Sequence, residues 1–227
     1  MFFMLRKDAL ASNETYHIYN RGAHKQPIFL DDHDYSRFLM LLYLANNSEP
    51  IHMGNLLSKY KGRSFLDIYS EETDRALVDI TAYSLMSNHF HVVVTQKAEE
   101  GISRFMKKVG TAYSMYFNAR HDHSGFLFQG RFKNSLVSNE AYYRWIYAYV
   151  HLNPLDLLYP HWEEKGIDDK ERARNYMKDY RYSSYRDYHS GAFRPESRLL
   201  ALDTVPDFLK TQNDLEELLE NIKDRPL

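Results

Sequence analysis

The sequence predicts an α+β fold, a ferredoxin-like sandwich in which an antiparallel sheet carries helices on one face. The prediction rests on the order of patterns along the 227 residues: strand, helix, strand, strand, helix, strand, helix. Two consecutive βαβ halves of this length are typical of that fold. An apolar fraction of 44% is enough for a packed core, and 26% charged residues fit a soluble protein.

The first half begins with a strand at 14–22 that ends at a glycine turn. Asp31 and Asp32 can cap a helix that helical spacing extends to about residues 46–47. Residues from about 48 to 75 show no clean period, and we interpret them as an insertion with a short helix around 55–60. Alternating apolar residues from Val78 predict the second strand, and the third follows after a polar turn.

The second half contains the clearest helix, because seven apolar residues between Ile102 and Phe117 form one stripe. A short strand is predicted at Leu136–Val137. The helix after it, Ala141–Leu152, is apolar almost all round, which predicts packing on several sides. Pro154 is expected to end this helix by pushing the preceding residue away from helical geometry.

Two regions complete the predicted organisation. Residues 1–195 are predicted to form one domain with the insertion inside it. Residues 196–227 are predicted to form a C-terminal acidic helical tail, because Leu215, Leu218, Leu219 and Ile222 follow a helical period.

Composition and charge narrow the classes of function. With no cysteine, the chain has no disulfide framework and no thiolate metal site. It has no apolar run long enough for a membrane span, so a cytoplasmic protein is the simplest interpretation. The net charge is −2, but residues 101–135 carry six basic residues against one acid, and residues 203–227 carry seven acids against three bases. A basic middle favours a local anionic partner, although ordinary solvated charge fits equally well.

A His-Phe-His triplet at the start of the third strand, His89–Gln96, is the first candidate site. Strand alternation places His89 and His91 on one face and Phe90 on the other. Two imidazoles about 7 Å apart along a strand can bind one metal ion or one phosphate. Alone, such a pair is more often two half-exposed histidines than a metal site. Tyr149 and Asn153, four residues apart on the last helix, would project from one face, and from the residues alone the inference ends there.

The triplet and several further motifs resemble a known family. Met86–His91 looks like the His–hydrophobic–His (HUH) motif of the single-tyrosine transposases. The order of the motifs is similar to the REP-associated tyrosine transposases: Tyr16–Gly22, the HUH motif, Tyr116–Asn118, Gly125–Lys133, Tyr147–Pro154, then Tyr182–Tyr185. The resemblance extends from about residue 13 to 190. It differs at Ser87, where the family usually has proline, and in the longer excursion at 48–75.

The resemblance implies a role for each of four residues. It places the nucleophile on Tyr149, ahead of the competing Tyr147 and Tyr143, and the metal ligands on His89, His91 and Asn153. An amide oxygen can ligate Mg²⁺ or Mn²⁺, and Mn²⁺ also accepts imidazole. Because histidine ligands must be neutral, activity is expected to fall on acidification through about pH 6.

The implied function is a metal-dependent single-stranded DNA endonuclease and strand transferase that acts at hairpin-flanked sites through a 5′-phosphotyrosine. Relatives form dimers, so a homodimer is compatible with the chain. The candidate DNA contacts are Arg21, Arg104, Lys107, Lys108, Arg120, Phe128, Arg131 and Lys133. Phe126 and Phe132 are further candidates for stacking on unpaired bases. Two alternatives stay open: a domesticated hairpin-binding protein without turnover, and an unrelated metalloenzyme that joins the histidine pair to a carboxylate such as Asp79.

Overall fold

The computed structural model describes residues 10–49, 65–70, 76–189, 193–210 and 215–223. Its centre is one antiparallel sheet whose strand order, β2-β3-β1-β4, is that of a ferredoxin-like sandwich. The strands are β1 (Thr15–Arg21), β2 (Val78–Met86), β3 (His89–Gln96) and β4 (Lys133–Leu136). The predicted fold class is confirmed.

Two crossover helices cover one face of the sheet, as predicted, and a third helix covers the other. The helices are α1 (Asp32–Ala45), α2 (Gly101–His121), α3 (Glu140–Leu152), α4 (Trp162–Lys165), α5 (Lys170–Asp179), α6 (Tyr185–His189), α7 (Asp207–Lys210) and α8 (Leu215–Lys223). Phe90, Val92 and Val94 pack with α1 and α2 in one core, while Ala82 and Val93 pack with α3 in a second core. Any β3 side chain on the Val93 side therefore faces α3.

Short-range chemistry explains where the helices begin. The Asp31 side chain accepts hydrogen bonds from the backbone N–H groups of His33 and Asp34, and the Asn139 side chain accepts one from Tyr142. Each cap satisfies N–H groups that have no partner inside the first turn. The sequence predicts the Asp31 cap of α1, and α3, predicted to begin at Ala141, begins one residue earlier at Glu140.

Two local predictions are wrong. The fourth strand lies at Lys133–Leu136 rather than Leu136–Val137, because pairing with Tyr16–Tyr19 of β1 sets its position. Asn153 keeps helical dihedrals (φ −50°, ψ −38°), and its N–H bonds to the Tyr149 carbonyl. Pro154 opens the following 3-10 turn (Asn153–Leu157), where a residue without an N–H is tolerated. The helix at 55–60 and most of the 48–75 insertion lie outside the described residues.

The acidic tail packs on the helix that carries Tyr149. Leu215 and Leu218 of α8 are fully buried in the α3 core. Arg144 of α3 donates a hydrogen bond to the Phe208 carbonyl and lies over the Phe208 ring at 4.6 Å. The tail thus holds α3 from its outer side.

We expect Leu218→Ala to lower the free energy of unfolding by about 2–4 kcal/mol, because it removes a buried leucine and leaves a cavity. Urea unfolding measures the change. Glu217→Ala, at the neighbouring exposed position, is the matched control and should leave the midpoint nearly unchanged. Equal midpoints for the two variants would show that α8 does not pack on α3 in solution.

Candidate metal centre and tyrosine

The His-Phe-His strand places its three side chains as alternation requires. Phe90 is buried in the α1/α2 core and lies 4.9 Å from the Phe38 ring centroid. The His89 and His91 rings lie on the opposite face with centroids 5.0 Å apart, at 86° to each other. The buried phenylalanine thereby anchors the strand and directs both imidazoles toward α3.

The His89 imidazole is oriented by its neighbours in the turn. Asn88 donates from Nδ2 to the Lys25 carbonyl at 3.2 Å, which directs its Oδ1 toward His89. That oxygen lies 2.7 Å from His89 Nδ1, so Nδ1 carries the proton and donates to it. In the neutral ring, Nε2 then holds a lone pair. This atom lies 3.2 Å from Asn153 Oδ1, so two acceptors face each other at one point.

His91 supplies the third atom of the site. Its Nδ1 lies 2.8 Å from Nε2 of His17 on β1, while its Nε2 is buried with no hydrogen-bond partner among the described residues. A buried polar nitrogen without a partner is rare in proteins and calls for a ligand, an ion or water. The candidate metal site thus consists of His89 Nε2, His91 Nε2 and Asn153 Oδ1.

This donor set suits a divalent cation of intermediate hardness. No three His, Cys, Asp or Glu side chains converge into a metal-binding cluster within the described ranges; the third donor is instead the amide of Asn153. Two imidazoles and one amide oxygen are all neutral ligands. They fit Mn²⁺ well and Mg²⁺ less strongly, and they leave further positions for phosphate or water oxygens.

Burial keeps the imidazoles neutral. Desolvation, helped by the nearby charge of Arg21, lowers the pKa of His89 to about 4. Desolvation also lowers the pKa of His17 to about 3, and that of His91 well below its usual range. The histidine ligands that the family resemblance implies predict a fall in activity on acidification through about pH 6. Because of this desolvation, protonation of the ligands is expected only at lower pH.

Tyr149 approaches the histidines from α3. Its half-buried ring stands nearly perpendicular to the His91 ring, with centroids 5.3 Å apart, and stacks on Trp145 at 5.2 Å. Asn153 lies one turn further along the same helix. Because α3 packs on its own sheet, one chain brings together Tyr149, both histidines and Asn153.

The two competing tyrosines point elsewhere. Tyr143 is buried with its hydroxyl 3.4 Å from Thr81 Oγ1. Tyr147 is fully buried, edge-on to His151 at 4.2 Å and to Tyr188 at 5.3 Å. Desolvation raises the pKa of both phenols. Neither ring has a contact with His89 or His91, which favours Tyr149 as the reacting group.

Two cations flank the histidine pair on the same face of the sheet. Arg21 is directly opposite His89 across the β1–β3 pair, and Lys133 is opposite Tyr19, which is itself opposite His91. Directly opposite residues project to the same face. Both side chains are exposed. Of the predicted DNA contacts, these two lie beside the site.

Three other predicted DNA contacts hold the ends of α1. Arg104 donates to the Ser48 carbonyl, and Lys108 donates to the carbonyls of Asn47 and Glu49, beyond the C-terminal end of α1. Arg120 forms a bidentate pair with Asp31 at 2.7 and 2.8 Å and also contacts the buried Asp34. The Arg120 hydrogen bond helps to lower the pKa of Asp31 to about 2. These contacts indicate a structural role for the three cations.

The remaining three predicted contacts line a groove of about 1700 Å³ between the outer side of α2 and residues 123–132. Lys107 and Arg131 are exposed there, and Phe128 packs edge-on to Phe90 at 6.1 Å. This groove, which we call the α2 groove, lies on the α1/α2 side of the sheet. Phe126 at its edge is 91% exposed, which makes it more accessible to a base than Phe128.

Sequence reasoning missed His17 and Tyr19. Alternation along β1 would have put them on one face, but only the β1–β3 register brings that face to His91. Asp79, the alternative carboxylate ligand, pairs with Lys97 at 3.2 Å. It lies opposite Thr95, four residues from His91 along β3 and therefore about 13 Å away.

Of the comparisons with known proteins, one family model agrees with the resemblance of the motifs. Residues 54–153 match the family model described as IS200-like transposase. The structure of a REP-associated tyrosine transposase bound to a REP hairpin is similar at 12% identity, with a TM-score of 0.49, over 90% of this chain and 93% of the other. No curated protein matches the chain. Within the described residues, every helix is too short or too polar to span a bilayer.

Proposed function

We propose that the chain is a transposase of the IS200-like kind, whose family model matches residues 54–153, and that it cuts and rejoins single-stranded DNA at hairpin-flanked sites. Tyr149 attacks a phosphodiester and remains joined to the 5′ phosphate of the downstream strand. The domesticated hairpin-binding alternative would retain the fold without this reaction. The enzyme is favoured because Tyr149 lies beside the three candidate metal ligands, His89, His91 and Asn153.

The observation that carries the proposal is a pair of adjacent acceptor atoms and a buried third one from the neighbouring histidine, on one face of the sheet beside one tyrosine. His89 Nε2 and Asn153 Oδ1 lie 3.2 Å apart, and the buried His91 Nε2 has no partner among the described residues. The Tyr149 ring lies edge-on to His91. A set of acceptors without a donor between them is stable only around a cation, a proton or water.

A bound Mg²⁺ or Mn²⁺ would polarise the scissile phosphate and stabilise charge on the leaving oxygen. His89, His91 and Asn153 would hold that ion, and Arg21 and Lys133 would orient the strand through its phosphates. Tyr149 lies against the histidine face, where its hydroxyl can meet a phosphate held there. The fixed β3 strand and the capped α3 helix keep these groups in register.

The reaction is an exchange of ester bonds. The Tyr149 phenol loses its proton, an oxygen–phosphorus bond forms, and the bond from phosphorus to the upstream 3′ oxygen breaks. The released 3′ oxygen takes up a proton and becomes a free 3′-OH. Because the phosphotyrosine keeps the ester linkage, a 3′-OH at another junction can reverse the step without ATP.

Incubation with hairpin-flanked single-stranded DNA and Mn²⁺ tests the proposal. We expect a covalent protein–DNA band that retains a label placed downstream of the cut and loses one placed upstream. Chelation with EDTA should abolish the band. Cleavage that leaves a free 5′ phosphate, or hairpin binding without cleavage of any tested strand, would contradict the proposal.

Two basic residues of α2, Lys107 in the α2 groove and Arg120 at the start of α1, should respond differently to substitution. Lys107→Ala is expected to flatten the salt dependence of DNA binding, by roughly 0.7–0.9 in log K against log salt for each phosphate that the protein no longer neutralises. Arg120→Ala should instead lower the midpoint of thermal unfolding, since it removes the partner of Asp31 and Asp34. Fluorescence anisotropy at several salt concentrations and thermal denaturation measure the two effects. If Lys107→Ala lowered the unfolding midpoint and Arg120→Ala flattened the salt dependence, Arg120 would be the DNA contact and Lys107 the structural residue.

A further inference from the structure

His17 contacts two residues of the candidate site: it lies within hydrogen-bond distance of His91, and its ring lies edge-on to Tyr149 with centroids 6.3 Å apart. It lies on β1, is 6% exposed, and places Nε2 at 2.8 Å from His91 Nδ1. The two rings are tilted by only 18°, with centroids 5.0 Å apart. With the nitrogens so close, the rings lie edge to edge and nearly coplanar, which is the geometry of a linear hydrogen bond between imidazoles.

This hydrogen bond admits only two arrangements of the proton when both rings are neutral. If His91 Nδ1 donates, His91 Nε2 keeps its lone pair and faces the site. If His17 Nε2 donates, His91 must carry its proton on Nε2. In that arrangement the buried Nε2 has no lone pair to offer a cation.

The neighbours of the pair favour the first arrangement. His89 Nε2 and Asn153 Oδ1 already present lone pairs beside each other, and the His91 ring lies next to that of His89, so a third lone pair from His91 would complete a donor set for a cation. The Tyr19 ring lies 4.9 Å from the His17 ring and 5.9 Å from the His91 ring, which fixes the orientation of both.

We propose that His17 is a positioning residue that accepts the Nδ1–H of His91 and thereby holds the His91 Nε2 lone pair toward the metal site. The inference rests on the proposed function, since it assigns the metal site a supporting residue. A hydrogen bond to the second nitrogen of a ligand histidine fixes its tautomer and orientation, and loss of such a partner typically weakens metal affinity about 10–100-fold.

Two substitutions separate this role from packing. His17→Gln retains an acceptor, because the amide oxygen can receive the His91 proton. His17→Phe retains a flat ring beside Tyr19 and removes the acceptor. Circular dichroism and thermal unfolding check that both variants fold.

Long-range ¹H–¹⁵N correlation of the histidine rings in the metal-free protein reads the tautomer directly. We expect the Nδ1–H form of His91 in the wild type and in His17→Gln, and a shift toward the other tautomer in His17→Phe. Titration with Mn²⁺, followed by the electron paramagnetic resonance of the free ion, should give a Kd raised about 10–100-fold in His17→Phe. In His17→Gln, the Kd should stay close to the wild-type value.

The outcomes distinguish this inference from the proposed function. An Nε2–H tautomer of His91 in the wild type, or unchanged Mn²⁺ affinity in His17→Phe, would overturn the role of His17 even if DNA cleavage occurs. A wild type with the expected tautomer that neither binds Mn²⁺ nor forms the DNA adduct would overturn the metal-dependent function. In that case the Nδ1–H tautomer of His91 would still be correct, but His17 would have no role in metal binding.

Discussion

Tyr149→Phe is expected to reduce the covalent protein–DNA adduct by about a thousandfold or more, because loss of a nucleophile removes the chemical step itself. The substitution keeps the ring and therefore the stacking on Trp145 and the edge contact with His91. Hairpin affinity should stay within about threefold of the wild type, since the missing hydroxyl contributes at most one hydrogen bond. Quantifying the adduct on denaturing gels, beside anisotropy, separates chemistry from binding.

Tyr147→Phe is the matched control on the same helix. The Tyr147 ring packs against His151 and Tyr188 in the α3 core and has no contact with the histidine pair. Removal of its hydroxyl should leave adduct formation near the wild-type level, with a stability change of roughly 1 kcal/mol or less. An adduct that persists in Tyr149→Phe and disappears in Tyr147→Phe would move the nucleophile to the other tyrosine.

Acidification is expected to destabilise the metal-free protein before its candidate metal ligands are protonated. Burial lowers the pKa of His17 to about 3 and of His89 to about 4, and it lowers the pKa of His91 and His151 well below the usual range. In the unfolded chain these groups titrate near 6.5. Between those values the unfolded state binds more protons, so stability falls as pH falls. Above about pH 6.5 the contribution is fully present.

Each such histidine lowers the free energy of unfolding by up to about 1.4 kcal/mol for each pH unit of acidification between its unfolded and folded pKa values. Urea unfolding at pH 7 and pH 5, in the presence of EDTA, should therefore show a large drop in the free energy of unfolding. His17→Gln carries one buried histidine fewer, so its drop should be smaller. Carboxylates contribute equally to both proteins, so identical drops would mean that His17 is not held neutral by burial.

The histidine face and the tyrosine helix follow from short-range patterns that the sequence displays. Strand alternation is enough to separate Phe90 from His89 and His91, and a spacing of four is enough to align Tyr149 with Asn153. Asn153 keeps helical dihedrals, although the sequence predicts that Pro154 pushes it away from them. Its N–H stays bonded to the Tyr149 carbonyl, so the backbone keeps helical dihedrals one residue beyond the end of α3 and holds the amide beside His89.

The remaining features depend on pairings that no local pattern encodes. The register between β1 and β3 brings His17 and Arg21 to the site, and the register between β1 and β4 brings Lys133. The basic residues of α2 cannot be told apart from the sequence. In the structure they have two roles, because Arg104, Lys108 and Arg120 contact the ends of α1, while Lys107 faces the α2 groove.

A crystal structure of the protein with Mn²⁺ shows whether the two histidines and Asn153 hold a metal ion, since anomalous scattering locates the ion without ambiguity. We expect one ion bound by His89 Nε2, His91 Nε2 and Asn153 Oδ1 at about 2.0–2.3 Å, with the Tyr149 hydroxyl facing the open side of the ion. An ion bound elsewhere, or a Tyr149 hydroxyl more than about 10 Å from an ion held by the two histidines, would contradict it.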